Sequence, residues 1–506
     1  MSPTTAGVTA RGADPAVEPG PERARELAAE YTVVPLRHTF IDDCETPVAA
    51  YLKLRGDGPS FLLESAEQGG RFGRWSFVGV RPRATLRLED GVLTASGEPR
   101  ELSDPYAAVA EELGRHRPAP LAGGPPFAGG AVGLFGYDLV RSFEPSVGEP
   151  NPDELGLPDL ALMVSDVLVA FDHFTHEVTV VANVFAEDVE ELGFDGAYTT
   201  ARETIAEVRE RLAAPVPRAR RDPREPPTFT SNLGEAGYAA AVERVKDYIR
   251  AGDCYQVVPS QRWSADLPVE AFSIYRGLRT VNPSPYMYFL DFGDFEIAGA
   301  SPESLVKVSG RRAEQRPIAG TRPRAPTAEE DLERARELLA DEKERAEHTM
   351  LVDLARNDLG RVCEYGSVRV DELMVVETYS HVLHIVSSVS GTLADGVSAI
   401  DALRASLPAG TLSGAPKIRA LQIIDELEPV KRGPYGGAVG YLSFSGGLDS
   451  CILIRSAVAR DGRVHVQAGG GIVVDSDPGY ELRESEAKAG AVRTAIELAC
   501  RQPDWG

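Results

Sequence analysis

The amino-acid sequence predicts an α+β protein, an α/β sandwich in which helices pack outside large antiparallel sheets. Three observations lead to this prediction. Short β-rich runs separated by turn signals dominate residues 31–97, a strand meander fills the last third, and segments of 3.6-residue periodicity stand between them. A chain of 506 residues is long enough to bury such a divided core.

Residues 31–213 are predicted to form an N-terminal region. Its strands are expected at residues 31–35, 61–65, 75–80, 84–88, 160–172 and 177–185. Its helices are expected near residues 105–117 and 194–213. Residues 1–30 are rich in Ala, Gly, Pro and Glu and lack the basic-then-apolar pattern of a signal peptide. We therefore expect them to be a disordered leader.

A second region, residues 229–501, follows a segment that packs prolines and arginines too densely for a helix or strand. That segment, residues 214–228, is predicted to be a linker. Helices are expected at residues 232–251, at residues 327–356 and at the end of the chain, where Asp477 can cap a helix that begins with Pro478. Strands are expected at residues 254–263, 289–297, 305–308, 438–444, 451–459 and 464–474.

Composition excludes some classes of protein. The net charge of −24 argues against nucleic acid as a partner, because phosphate binding relies on excess Lys and Arg. No apolar run approaches the roughly 20 residues of a membrane helix. The five cysteines show no CxxC spacing, which favours reduced thiols in the cytoplasm. An anionic substrate would need a local cationic patch or a metal.

Acidic residues on two helices form a candidate metal site. Glu347 shares a helix face with Leu351, so it points inward with the apolar stripe. Glu481, Glu484 and Lys488 share one face of the final helix. Acids from two helices can hold one Mg²⁺ that keeps several waters. The alternative is that these residues are solvated helix faces with an internal Glu–Lys pair.

Further candidates lie in the second region. Two small-residue segments, residues 411–417 and 467–471, can present backbone N–H groups to an anion, although neither has Walker A spacing. Arg455 interrupts an apolar strand and suits either a bidentate carboxylate contact or a core ion pair. His384 interrupts a β-like run and is either a general acid or base or a structural residue.

Ordered motifs over roughly residues 30–500 resemble the chorismate-utilising enzymes. The motifs are Leu-Leu-Glu-Ser at 62–65, Tyr-Gln-Val-Val at 255–258, Asn-Pro-Ser-Pro-Tyr-Met at 282–287, Ser-Pro-Glu-Ser at 301–304, Pro-Ile-Ala-Gly-Thr at 317–321, the acidic helix at 347–358, Val-Leu-His at 382–384, Gly-Thr-Leu-Ser-Gly-Ala-Pro-Lys at 410–417 and the final helix. The resemblance implies the chorismate-binding architecture, with residues 229–501 as the catalytic region.

The resemblance also implies a role for each candidate. Glu347 and Glu484 would hold Mg²⁺, with Glu481 close by through water. Substrate-binding residues would be Gly320, Tyr435, Arg455, Gly469, Gly470, Gly471 and Lys488. Glu303 would be the general acid/base, His384 would assist loss of pyruvate, and Thr321 and Thr411 would position the substrate.

Two positions distinguish branches of the family. Members that add water carry Lys where Gln256 stands, because water needs a base and ammonia does not. Members that make aminodeoxychorismate carry a nucleophilic Lys in place of Ala319. The resemblance therefore implies amination by ammonia and release of anthranilate, the first step of tryptophan biosynthesis. The alternatives are an enzyme that stops at 2-amino-2-deoxyisochorismate and an inactive tryptophan-sensing subunit.

A feedback site and a partner are implied as well. Glu64, Ser65, Pro285, Tyr286, Met287 and Cys451 resemble the family's tryptophan site, which implies inhibition from a distinct pocket. The chain shows no Gly-x-Cys-x-Gly segment of a glutamine amidotransferase. The resemblance thus implies a separate amidotransferase subunit in a hetero-oligomer, expected to be a heterotetramer, or use of free ammonium. One departure is Ala487, where the family usually has Asn.

Overall fold

The structure is a computed structural model that describes residues 16–65, 73–100, 104–120, 122–378 and 382–505. Its described strands are β1 Val33–Ile41, β2 Ser60–Glu64, β3 Trp75–Val80, β4 Ala84–Glu89, β5 Val92–Ala95, β6 Glu98–Arg100, β7 Gly130–Phe135, β8 Leu160–Ser165, β9 Val167–Asp172, β10 Glu177–Phe185, β11 Thr230–Ser231, β12 Gln256–Val257, β13 Ser260–Asp266, β14 Tyr286–Asp291, β15 Phe295–Ser301, β16 Ser304–Ser309, β17 Arg312–Gln315, β18 Ile318–Pro323, β19 Arg369–Thr378, β20 Val382–Thr392, β21 Gly414–Ala415, β22 Ala438–Ser443, β23 Leu448–Ile452, β24 Ser456–Arg460 and β25 Arg463–Gly469.

The described α-helices are α1 Pro21–Ala28, α2 Pro47–Leu54, α3 Pro105–Gly114, α4 Ala186–Ala213, α5 Gly234–Ala251, α6 Ala271–Val281, α7 Ala328–Ala340, α8 Glu342–Gly360, α9 Ala399–Ser406, α10 Lys417–Leu427 and α11 Pro478–Arg501. Short 3₁₀ helices lie at Tyr137–Ser142, Pro145–Val147, Gly410–Leu412 and Pro503–Trp505. Among the described residues, no helix combines the length and the apolar content needed to cross a membrane.

Two large sheets form the centre of the molecule. The first has eleven strands in the order β1-β10-β9-β3-β2-β14-β15-β24-β25-β13-β11. The second has twelve, in the order β18-β20-β17-β16-β23-β22-β7-β8-β4-β5-β6 with β19 paired to β20. Neighbouring strands within both sheets run antiparallel, as in β2 beside β14 and β22 beside β7. The predicted fold class is therefore confirmed.

The sheets pack face to face and the helices cover their outer faces. Strand β14 shows how the sequence achieves this, because its side chains alternate. Tyr288 and Leu290 join the cluster between the sheets, while Met287 and Phe289 join the cluster under the outer helices. The outer face of the second sheet carries its own apolar cluster beneath α3, α8 and α9. The central strands of each sheet are thus buried on both sides.

The two predicted regions contribute strands to both sheets. In the first sheet, β2 from the N-terminal region pairs directly with β14 from the C-terminal one. The predicted linker, residues 214–228, has no helix or strand and lies against the end of the chain. The Arg221 N–H donates to the Pro503 carbonyl and the Arg224 N–H to the Cys500 carbonyl, both at 2.9 Å.

Several predicted elements differ from the structure. The leader contains helix α1, whose Ala24 and Leu27 are buried, so the prediction of disorder is wrong there; residues 1–15 lie outside the described residues. The single helix predicted at 327–356 is two helices. Asp341 ends the first in an extended conformation and accepts hydrogen bonds from Lys343 N and Glu344 N, which caps the second.

Four predicted strands are divided. The strand expected at 160–172 is β8 in the second sheet and β9 in the first. The strand expected at 289–297 is a hairpin, because Asp291 accepts the N–H of Gly293 in a tight turn where Gly293 has a φ of 90°. The strand expected at 254–263 is β12 and β13. The strand expected at 451–459 is β23 in one sheet and β24 in the other. Arg455 lies in this crossover with a φ of 53°, a backbone conformation that residues other than glycine rarely adopt.

Candidate active site

A cavity of about 580 Å³ brings together every residue predicted to act in catalysis, substrate binding or metal binding. These residues are Gln256, Glu303, Gly320, Thr321, Glu347, His384, Thr411, Tyr435, Arg455, Gly469, Gly470, Gly471, Glu481, Glu484 and Lys488. They come from strands of both sheets, from helices α8 and α11, and from loops. Groups so distant in sequence converge only because the two sheets lie against each other.

Glu303 lies between β15 and β16, in the wall of the cavity. Thr411 Oγ1 donates a hydrogen bond to Glu303 Oε1 at 2.9 Å. Burial raises the pKa of Glu303 to about 7, although the Thr411 hydrogen bond and the charge of Lys488 both lower it. The carboxyl group therefore exchanges a proton near neutral pH, as a general acid or base requires.

His384 on β20 lies beside Thr321 on the neighbouring strand β18. Its Nδ1 is 2.9 Å from the Gly320 carbonyl oxygen and 3.1 Å from Thr321 Oγ1. A carbonyl oxygen only accepts, so Nδ1 carries the proton and Nε2 carries the lone pair of the neutral ring. Burial lowers the pKa of His384, and the nearby charge of Arg455 acts in the same direction. The ring is thus kept neutral, with a lone pair that can accept a proton.

The candidate metal acids line one side of the cavity. Glu481 is buried, and burial raises the pKa of both Glu481 and Glu347. Glu484 Oε1 pairs with Lys488 Nζ at 2.7 Å, so the predicted Glu–Lys pair exists, but within the cavity wall. Gln256 Nε2 donates to Glu347 Oε1 at 3.3 Å.

The carboxylate oxygens of the cavity fit a Mg²⁺ ion that keeps part of its water shell. Among the described residues, no three His, Cys, Asp or Glu side chains form a ready-made cluster. Around Gly470, however, the place of an absent Cβ is 3.2 Å from Glu481 Oε2 and 3.8 Å from Glu484 Oε1. Mg²⁺ uses one or two carboxylates and keeps its remaining waters, so oxygen ligands spread around open space suit it.

A cationic wall, formed by Arg455 and Lys488, lies beside these acids. Arg455 makes no ion pair within the described part of the chain, which disfavours the alternative of a core ion pair, although the charge of Glu484 acts on its pKa. Lys488 Nζ also donates to the Gly469 carbonyl at 3.0 Å, which ties helix α11 to the glycine segment. Tyr435 is 8% exposed beside them. This wall supplies the local positive charge that a dianionic substrate needs in an acidic protein.

Comparison with known proteins identifies the family. The family model described as chorismate binding enzyme matches residues 58–494. The chain belongs to this family. It is 48% identical to anthranilate synthase component 1 of Pseudomonas putida, over 94% of this chain and 98% of the relative. It is 50% identical to anthranilate synthase component 1 of Thermus thermophilus, over 92% of this chain and 98% of the relative.

A solved chorismate-binding enzyme shares the fold. The crystal structure of anthranilate synthase component I from Streptococcus pneumoniae superposes with a TM-score of 0.76 and 38% sequence identity. The match covers 90% of this chain and 99% of that one. The resemblance read from the ordered motifs is therefore confirmed, and so is the architecture that it implied.

Three charged residues of the cavity were not among the predicted site residues. They are Lys343, Arg322 and Glu344. Arg322 pairs with Glu344 at 3.0 Å and with Asp341 at 2.9 Å. Lys343 lies four residues before Glu347 on α8, so the i, i+4 spacing was a usable signal. Arg322 follows Thr321 directly, but nothing in the sequence shows which face of its strand it occupies.

A second cavity, of about 520 Å³, lies between β2, β14 and the strands of the second sheet. It is lined by all the residues predicted for the feedback site, Glu64, Ser65, Pro285, Tyr286, Met287 and Cys451. Glu64 pairs with Arg279 at 2.9 Å and accepts a hydrogen bond from Tyr275. The buried Ser65 Oγ makes no hydrogen bond with any described group. Trp75, Phe77 and Tyr441 supply aromatic surface.

Proposed function

We propose that the protein is component I of an anthranilate synthase. It would aminate chorismate with ammonia in a Mg²⁺-dependent reaction and eliminate pyruvate to give anthranilate, the first step of tryptophan biosynthesis. The observation that carries this proposal is one cavity in which Arg455 and Lys488 face Glu303, with Gln256 and Ala319 at the two branch-determining positions. The names of the full-length relatives support it.

Substrate binding uses the cationic wall. Arg455, Lys488 and the backbone N–H groups of residues 469–471 receive the two carboxylates of chorismate. Glu347 and Glu484 would hold Mg²⁺, which would neutralise the ring carboxylate and draw electrons from the ring. The Gly320–Thr321 segment, fixed against His384, also lines the cavity.

The amination step needs an acid. Ammonia forms a C–N bond at the ring carbon beside the carboxylate-bearing carbon, the double bonds shift, and the C–O bond of the ring hydroxyl breaks. Protonated Glu303 donates its proton to that hydroxyl, which leaves as water. Thr411 orients the carboxyl group through its 2.9 Å hydrogen bond.

The elimination step needs a base. His384 Nε2 accepts the proton of the carbon that bears the new amino group, and the bond between the ring and the enolpyruvyl oxygen breaks. The electron pair of the C–H bond completes the aromatic ring, and the enolate takes a proton to become pyruvate. The hydrogen bond of Nδ1 to the Gly320 carbonyl keeps the lone pair on Nε2.

The residues at two positions, Gln256 and Ala319, select the nucleophile because neither is a base or a nucleophile. Gln256 cannot be a base for water, and its amide is engaged with Glu347 at 3.3 Å. Ala319 has no group that can bond covalently to the ring. Ammonia needs neither form of activation, so the residues at both positions favour it over water and over covalent catalysis.

The proposal extends to regulation, partner and location. The second cavity, with its aromatic walls and the Glu64–Arg279 pair, would bind tryptophan as a feedback inhibitor. A separate glutamine amidotransferase subunit would supply ammonia, in a heterotetramer, and the name component 1 of the relatives supports such a partner. A cytoplasmic location is supported by five cysteines that are all free thiols.

One assay tests the proposal. Purified protein is mixed with chorismate, Mg²⁺ and ammonium salt, and the fluorescence of anthranilate and the amount of pyruvate are followed. Equal rates of both products, abolished by a Mg²⁺ chelator, are expected. Accumulation of an amino intermediate without pyruvate would favour 2-amino-2-deoxyisochorismate synthase instead. Tryptophan binding without any turnover would mean an inactive sensing subunit.

A further inference from the structure

A buried ion pair behind the active-site cavity has no assigned role. Arg432 is 2% exposed and Glu428, which ends helix α10, is 6% exposed. The guanidinium group donates from Nε to Glu428 Oε2 at 2.9 Å and from Nη2 to Glu428 Oε1. Removing two charges from water is costly, so a pair this deeply buried needs many hydrogen bonds to persist.

The remaining hydrogen bonds of Arg432 go to backbone that forms the cavity wall. Nη1 donates to the Leu412 carbonyl and Nη2 to the Val258 carbonyl, both at 2.7 Å. Leu412 follows Thr411, and Val258 lies two residues after Gln256. The planar guanidinium thus joins two segments that carry proposed catalytic residues, in a geometry that a lysine ammonium cannot reproduce.

Glu428 also contacts the segment that follows Val258. Its Oε1 accepts hydrogen bonds from Ser260 N at 2.8 Å and from Ser260 Oγ at 2.9 Å. Gln467 Nε2, from a residue that lines the cavity, donates to Ser260 Oγ at 2.8 Å. The Arg432 guanidinium also lies 5.5 Å from the ring centre of Tyr435. The pair therefore contacts the wall from several directions without lining the cavity.

We propose that Arg432, held by Glu428, is a positioning residue that fixes the Thr411 turn and the Gln256 segment of the active site. It acts through the Leu412 carbonyl on Thr411, whose hydroxyl orients Glu303. Direct bonds between the segments, such as Val258 N to the Ser413 carbonyl at 3.0 Å, set their register. The planar guanidinium group also fixes the angle between the two segments.

This inference rests on the proposed function, because its main test follows the reaction of Glu303. The groups facing that carboxylate are Thr411, from the 410–412 turn, and Lys488, from α11. If Arg432 no longer holds the turn, Thr411 ceases to donate, and its lowering effect on the pKa of Glu303 is lost. Protonated Glu303 then persists to higher pH, so the alkaline limb of the rate profile moves upward.

The experiment compares Arg432→Lys with Thr411→Val and with wild type. Values of kcat/KM for chorismate are measured against pH and expressed per concentration of free ammonia. Arg432→Lys should lower kcat/KM by ~10- to 100-fold, as expected for catalytic groups misplaced by about 1 Å. Its alkaline limb should move to higher pH, as in Thr411→Val. An unshifted limb in a folded Arg432→Lys protein would overturn the proposal.

Arg262→Lys is the matched control. Arg262 is also 2% exposed, pairs with Glu154 at 2.7 Å and donates to the Lys431 carbonyl at 3.3 Å, but it donates to neither the Leu412 nor the Val258 carbonyl. Its variant should keep the wild-type limb. If it shifts the limb equally, the effect reflects general loosening and the proposal fails. An inactive wild-type protein would instead refute the proposed function.

Two further measurements keep the proposal testable if single variants fold poorly or turnover is absent. The double variant Glu428→Gln with Arg432→Met removes both charges of the buried pair together with both carbonyl contacts, so it should fold and still show the shifted limb. Independently of turnover, amide exchange at residues 256–260 and 410–413 should quicken in this double variant and not in Arg262→Lys. Unchanged exchange in those segments would contradict a positioning role.

Discussion

The two cavities are nearly equal in volume, about 580 and 520 Å³, yet their walls differ in chemistry. The first is lined by glycine backbone and by charged groups such as Glu484 and Arg455. The second is lined by aromatic rings and by strand residues of the first sheet, such as Tyr286 and Met287. Volume alone therefore does not distinguish the proposed reaction site from the proposed effector site; the first cavity differs in holding Glu303 and His384, whose pKa values burial shifts.

The cavities are also adjacent in the chain. Cys451 at the end of β23 lines the second cavity, and Arg455, four residues later, lines the first. Between them, Ile452 N donates to the Glu303 carbonyl at 3.0 Å and Leu453 N donates to the Gly437 carbonyl at 2.8 Å. Variants that affect one cavity and spare the other test whether the two cavities have separate roles.

The largest effect on turnover is expected at the metal acids. Glu484→Gln keeps the shape of the side chain but removes a charged oxygen ligand, so kcat/KM should fall by at least ~10³-fold. The dissociation constant of Mg²⁺, measured by titration calorimetry, should rise in parallel. Glu486→Gln, an exposed position on the same helix, is the control. Wild-type Mg²⁺ affinity in Glu484→Gln would remove this residue from the site.

A somewhat smaller loss is expected at Glu303. Glu303→Gln cannot donate a proton, and kcat should fall by roughly 10²-fold with no change in melting temperature. Wild-type kcat/KM per free ammonia should decline above about pH 7, because burial raises the pKa of Glu303 to about 7 and the acid form is lost beyond it.

Glu296→Gln is the control for that prediction. Burial also raises the pKa of Glu296 to about 7, but Glu296 lines neither cavity. Its variant should keep the limb near pH 7. A limb that vanishes in Glu296→Gln and persists in Glu303→Gln would reassign the acid.

His384→Met should alter the products more than the rate of chorismate consumption. Amination does not use the imidazole, whereas elimination needs its lone pair, so an amino intermediate should accumulate and pyruvate release should slow. Chromatography of the reaction mixture measures the ratio. His465→Met, another half-buried strand histidine, which contacts Ser264, should leave the ratio unchanged. An unchanged ratio in His384→Met would exclude the proposed role.

The smallest effect on turnover is expected in the second cavity. Ser65→Arg places a long cation where a buried hydroxyl has no partner among the residues that the structure describes, so tryptophan should inhibit at least ~10-fold less strongly while kcat stays near wild type. Ser65→Ala, which leaves the space open, should weaken inhibition only slightly. The inhibition constant is measured with ammonium as nitrogen donor. Full inhibition of Ser65→Arg would place the effector elsewhere.

Much of the candidate site could be predicted because its residues belong to short sequence motifs, which can be recognised without knowledge of the fold. Glu303 and His384 stand in short ordered segments, and helical spacing put Glu481 and Glu484 on one face of α11. The periodicities of 2 and 3.6 likewise predicted most strands and helices. Arg432 escaped notice, because its i, i+4 spacing from Glu428 is common in surface pairs and its two backbone carbonyl partners carry no sequence signal.

The sequence by itself determined most of the strands and helices and the identity of the candidate site residues. Only the tertiary structure decided that β23 leaves one sheet and β24 enters the other, which puts Arg455 at a positive φ beside Glu484 and Lys488. The reason is physical. The periodicity of a segment indicates its own secondary structure. The convergence of distant segments depends instead on non-local strand pairing and on buried hydrogen bonds such as those of Arg432.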